Sequence, residues 1–232
     1  MDKKTNIMIN LKQLKNKIKN ELINQKESKF KGNIYHYSQV NFAYNSNKIE
    51  GSKVTIEQTE AIFDTSSFVP KIDDLIKLDD LIESKNHFKL FDYMLDNVDE
   101  LLTKNMIIEM NKILKRNTSD EENIRYNVGG VKVVPNIIGV VNVINTTAPE
   151  NVEKEIEKLL NEYNFKTNIT LEDIVDFHYR HEKIHPFGND DKQLRQKKAY
   201  FQNSYISSGR FWYNRFINVI KSGGKELCKH YK

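Results

Sequence analysis

The run FHYRHEKIHPF, residues 177–187 of this 232-residue chain, holds the side chains best suited to chemistry. Leu171, Ile174, His178, His181 and His185 recur at helical spacing and share one face. Pro186 ends that helix, because a residue preceding proline is pushed out of the helical region. Gly188 and Asn189 read as a turn, Asp190 or Asp191 as the cap of a following helix, and Leu194, Phe201 and Tyr205 as its apolar side. A helix start presents unpaired amides and a positive dipole end, so residues 186–191 form a cradle for an anion such as phosphate. A histidine titrating near neutrality beside that cradle is a base for an incoming hydroxyl. On spacing alone, the competing reading of His185 is a residue that merely terminates a helix.

The same stretch spells His181-Glu182-x-x-His185-x-x-Gly188-x-x-Asp191, the extended zinc-protease pattern. There two histidines one turn apart and a later acid would bind zinc while Glu182 activated water. Against it, Pro186 ends the helix at the second ligand and no methionine follows to form a Met-turn. A packed, hydrogen-bonded His181 beside His178 is the plainer alternative.

These residues need a frame, and composition supplies a helical one. Hydrophobic residues make up 38%, with 9 glycines and 4 prolines, enough for one sizeable core and few turns. Ile7, Leu11, Leu14, Ile18 and Leu22 predict an amphipathic first helix ending before Lys31-Gly32. The segment SNKIEGSKVT reads as a short helix stopped by Gly51 and a new one capped at Thr55. Leu81, Phe88, Phe91 and Leu95 mark a helix over 79–96, and residues 103–114 continue in the same manner. Val152, Ile156, Leu159, Leu160 and Tyr163 mark another over 151–164, and Thr170 with Asp173 is a capping box. Between Arg125 and Val143, β-branched residues around Gly129-Gly130 predict a small β-hairpin.

The net charge is +4, but lysine and asparagine are spread along the chain, as AT-biased codons produce, and no basic segment carries interleaved stacking aromatics. DNA is therefore not expected as a partner. A single cysteine, Cys228, excludes an internal disulfide and fits a reducing compartment. No apolar run reads as a signal peptide or a bilayer span, so the expected location is cytoplasmic, with no membrane partner.

The HPF run resembles the lead-in to the Fic signature, HPFx(D/E)GNGRxxR. NHFKLFDYMLD (86–96), IRYNVGGVKV and SNKIEG (46–51) are similar to Fic features in family order, and the likeness covers roughly residues 41–220. It implies an all-α Fic-type helical bundle with a small β-hairpin flap. Residues 1–75 would be N-terminal helices including an inhibitory one, and 76–232 the compact core. It implies a bacterial protein adenylyltransferase moving AMP from Mg²⁺-bound ATP to a tyrosine, threonine or serine hydroxyl of an unknown protein, the chain itself included. His185 would be the base, and Phe187, Gly188, Asn189, Asp190, Asp191, Lys192, Gln193 and Arg195 would line the nucleotide. Asn189 and Asp190 would hold Mg²⁺. The flap, roughly 127–135 with Val128, Gly129, Gly130 and Val131, would dock the target. Ser46, Glu50 and Gly51 match an inhibitory motif whose glutamate pairs with the signature's second arginine.

After HPF the signature changes. Asn189 replaces the metal-binding acid, Asp190 and Lys192 replace glycines, and Gln193 and Gln196 replace both arginines, with Arg195 one position off. Two expectations follow: an enzyme with altered or weak transfer, or an inactive Fic fold that binds a partner.

Overall fold

The computed structural model describes residues 3–28, 30–70, 75–138, 144–167 and 169–188, with side chains from residue 16 onward apart from Leu171. The frame is helical: α1 (Lys3–Ser28), α2 (Ile34–Ile49), α3 (Ile56–Thr65), α4 (Leu78–Asp96), α5 (Lys104–Lys115), a short α6 (Ser119–Glu122), α7 (Pro149–Asn164) and α8 (Leu171–Ile184). Among the described residues, no helix is long and apolar enough to cross a membrane.

Local chemistry sets the helix limits. Thr55 and Gln58 cap each other at the start of α3, and Thr170 and Asp173 do the same for α8, each satisfying orphan backbone donors. Thr103 accepts from the Met106 N–H at the start of α5. At the other end of α5, Asn86 Nδ2 donates to the Leu114 and Arg116 carbonyls at 2.9 and 2.7 Å, so α4 closes the helix beside it.

Helix α2 is longer than its sequence suggests. Gly51 stops it as expected, at φ 89°, but it begins back at Ile34. Its polar residues are buried rather than solvated. Gln39 bonds Tyr35 and Asp92, and Asn47 Nδ2 donates to Ser84 Oγ at 2.8 Å. Paired in this way, they sit inside at little cost.

Two of the three apolar clusters in the core share a helix. One gathers Leu22, Tyr35, Phe42, Leu90, Phe91, Leu95 and Leu114 from α1, α2, α4 and α5. The other gathers Ile107, Val152, Ile156, Leu159, Leu160, Phe177 and Ile184 from α5, α7 and α8. Helix α5 therefore joins them, with Leu114 in one and Ile107 in the other.

The β-hairpin expected at 127–135 is absent. That segment is a 3-10 turn at Ile124–Tyr126 followed by a tight turn, because Asn127 (φ 50°) and Gly129 (φ 96°) adopt left-handed backbone that breaks an extended run. Asn127 then ties the turn shut, its Nδ2 donating to the Val131 carbonyl at 2.7 Å. A two-residue antiparallel pair lies further on, β1 (Ile137–Ile138) against β2 (Ile144–Asn145).

Candidate functional site

The site assembles at the end of α8. Ile174, His178 and His181 are buried along that helix, as the spacing predicts. His185 leaves it as the C-cap in left-handed backbone (φ 49°, ψ 67°), with its N–H donating to the His181 carbonyl at 2.9 Å and only 5% of its surface exposed. Histidine tolerates this conformation better than most residues, and Pro186 forbids continued helix. Because His185 leaves the helix at this turn, the zinc-protease reading, which needs both histidines on one helical face, is disfavoured. Both ring nitrogens of His181 are buried without a hydrogen-bond partner among the described residues, and Phe187 lies 6.3 Å from its ring.

A lysine clamps the loop that follows. Lys132, 1% exposed, gives its main-chain N–H to the Pro186 carbonyl at 2.7 Å. Its ammonium donates to Asn136 Oδ1 (2.6 Å), Thr146 Oγ1 (2.7 Å) and the Ile184 carbonyl (3.4 Å). Asn136 Nδ2 completes the clamp on the Phe187 carbonyl at 3.1 Å. A helix C-terminus exposes orphan carbonyls and the negative dipole end, and a buried cation answers both. Sequence reasoning missed all three residues. The available signal was a lysine among valines in VKVVPN, four positions before an asparagine.

Gly188 closes the loop against the 3-10 turn. A Cβ there would lie 3.1 Å from Tyr126 Cα and 3.2 Å from the Arg125 and Tyr126 carbonyl oxygens, all of them backbone. Gly188→Ala should therefore cost about 1–3 kcal/mol, as overpacking against an unyielding wall does. A urea midpoint equal to wild type would show instead that the loop stands off the turn.

The sequence candidates thus divide. His185, Phe187 and Gly188 come together with the turn carrying Val128, Gly129, Gly130 and Val131, and Val131 and Phe187 pack on the same apolar cluster. Ser46, Glu50 and Gly51 end α2, where the Glu50 charge acts on Lys115, Glu83 and His87. Asn189, Asp190, Asp191, Lys192, Gln193, Arg195 and Gln196 lie outside the described residues.

Behind Glu50 is a buried charge cluster. The Lys115 ammonium, 4% exposed, stands 2.7 Å from Glu83 and 3.3 Å from Asp120. Burial opposes the Lys115 charge, but Glu50, Glu83 and Asp120 outweigh it and hold its pKa above the ordinary lysine value. Burial, in turn, pushes the Glu83 carboxyl up to about 7 against the pull of Lys115.

Comparison with known proteins supports the helical fold. Residues 101–190 match the family model described as Fic/DOC family. No curated protein matches the chain by sequence. Similar solved structures include a Fic domain containing signaling protein from Bacteroides thetaiotaomicron, with TM-score 0.59, 22% identity, and coverage of 91% of this chain and 80% of that one. A Fic family protein from Desulfovibrio desulfuricans G20 has TM-score 0.58 and 19% identity over 94% of this chain and 66% of that one. Fic-1 from C. elegans has TM-score 0.55 and 14% identity over 82% of this chain and 55% of that one.

Proposed function

We propose, from the premise that residues 101–190 are a Fic/DOC-family segment set on a Fic-type helical fold, that this chain is a protein adenylyltransferase. Its reaction moves AMP from ATP to a tyrosine, threonine or serine hydroxyl of a protein: the hydroxyl oxygen bonds the α-phosphorus, the bond to the β-phosphate breaks, and pyrophosphate leaves. The observation that carries the reading is the seating of His185: buried, turned out of α8, and held by a clamp on the carbonyls that flank it.

In that role the His185 imidazole takes the proton from the incoming hydroxyl on a ring nitrogen, and its fixed backbone spares the reorientation a mobile base would need. His185 is buried, so little water reaches the ring. Asn189 and Asp190 carry hard oxygen donors, the class Mg²⁺ takes, and would hold the metal. Mg²⁺, when bound, supplies neutralising charge at the phosphates. Lys192 and Arg195 are the cations of this stretch, whereas Gln193 and Gln196 offer only neutral donors. Glu50 is the restraining residue in this reading.

A second reading, a Fic fold that binds a partner without transfer, is favoured by one observation: Gln193 and Gln196 stand where the signature has its phosphate-binding arginines. Incubation with α-labelled ATP and Mg²⁺ separates the two. Label on the Glu50→Gly protein or on lysate proteins, lost in His185→Ala, is the expected result. No label in any variant, together with no ATP-dependent rise in melting temperature, would sink the transferase reading.

A further inference from the structure

A second constellation lies away from His185, between α2 and α3. His36 on α2 and Glu60 and Asp64 on α3 bring one donor atom each within 4.8 Å of one another. The His36 ring is buried, and its Nε2 lies 2.9 Å from Asp64 Oδ1. The Asp64 contact and an edge-on meeting with Phe63 at 5.2 Å fix its direction, while the His36 backbone N–H donates at 2.8 Å to the Asn33 Oδ1 that caps α2.

Charge gives this arrangement a direction. Glu60 and Asp64 are four residues apart on one helix, so their carboxylates share a face and repel. The only cation paired with them among the described residues is Lys31, 3.0 Å from Asp64 Oδ2 on a side chain that is 68% exposed. One solvated ammonium against two carboxylates leaves negative charge beside an oriented imidazole nitrogen.

We propose that His36, Glu60 and Asp64 bind one transition-metal dication of the zinc class, fastening α2 to α3. One imidazole with two carboxylates suits Zn²⁺ and disfavours Mg²⁺ and Ca²⁺, which take oxygen alone. Ligands in a tetrahedral zinc site with bonds of about 2.0–2.1 Å stand about 3.3 Å apart, so the His36–Asp64 edge is nearly formed. Rotation of the exposed Glu60 side chain closes the rest. The metal displaces Lys31 from Asp64 and leaves the fourth position to water. Neither the signature histidine nor its loop takes part, so the inference is independent of the transferase reading.

The test uses the untagged full chain, stripped with EDTA and titrated with Zn²⁺ against a chromophoric chelator. One equivalent is expected, with a rise in melting temperature. Glu60 is exposed, so Glu60→Gln keeps the fold and is the deciding variant; its affinity should fall by about tenfold or more, the least that losing a direct ligand costs when outer partners alone are worth that much. His185→Ala should bind zinc as wild type does. Co²⁺ substitution should give visible absorption bands in wild type that Glu60→Gln lacks. Equal zinc affinity in Glu60→Gln and wild type, or no zinc bound by wild type at micromolar concentration, would overturn the proposal.

Discussion

Lys115→Met should lower stability at pH 7.5 by about 3–5 kcal/mol, the range found when one member of a buried ion pair is removed. The methionine fills much of the same volume, so the loss is electrostatic rather than a cavity. Glu83 and Asp120 would remain inside with no cation, and Glu50 would lose the charge it faces. Two further measurements identify the cause. The deficit should shrink as pH falls, because carboxyls that become protonated no longer need the ammonium. Adding Glu83→Gln to Lys115→Met should restore part of it, since contacting residues do not act additively. A urea midpoint within about 1 kcal/mol of wild type would mean that solvent screens the cluster, as it does ordinary surface pairs. Because Glu50 acts on this cluster, Glu50→Gly should be assayed for stability alongside labelling.

A second large effect is expected from pH. His87 is 1% exposed, its ring stands edge-on to Phe42 at 5.1 Å, and neither ring nitrogen has a hydrogen-bond partner among the described residues. Burial pushes its pKa down from 6.5 to about 4, with Glu50 opposing the shift and Lys115 adding to it. The unfolded chain therefore takes up a proton below pH 6.5 that the folded chain refuses until about pH 4. Stability contributed by the neutral ring is fully present above pH 6.5 and is lost as pH falls through that window, by about 3 kcal/mol in all. Glu83 acts with the opposite sign, since a carboxyl raised to about 7 is protonated first in the folded state and gains stability as pH falls from 7 toward 4.5. Wild type shows the difference of the two. His87→Leu removes only the first, so it should match wild type near pH 7 and exceed it by about 2–3 kcal/mol at pH 4.5. An unchanged gap between the two proteins across that range would assign the acid sensitivity to other groups.

Much of the fold was legible because its signals are local. Thr55 with Gln58 and Thr170 with Asp173 are capping pairs three residues apart, and the structure forms both boxes. The 79–96 and 151–164 helices were readable from one apolar stripe each. Helix α2 was harder, because buried Gln39, Ser46 and Asn47 spoil the stripe. Gln39 and Asn47 are accommodated through Tyr35, Asp92 and Ser84, and α4 supplies two of those partners from far along the chain. The hairpin expectation failed for a related reason. β-branched residues around Gly129-Gly130 favour strands in general, but Asn127 and Gly129 at positive φ and a buried Lys132 favour this turn.

The site divides in the same way. By itself the sequence determined that a histidine-bearing helix opens on a capping box at Thr170 and breaks at Pro186, and that His185 is the residue delivered to the break. Those outcomes depend on hydrogen bonds and steric clashes within a few residues. Only the tertiary structure decided what holds His185 there: Lys132 and Asn136 lie about fifty positions upstream, and their carbonyl targets exist only once α8 ends against them. Likewise, nothing in the order of residues joins Lys115 to Glu83, or His36 to Asp64. Their separations in sequence, 32 and 28 residues, carry no periodic trace, and packing of one helix on another is what turns scattered charges into sites.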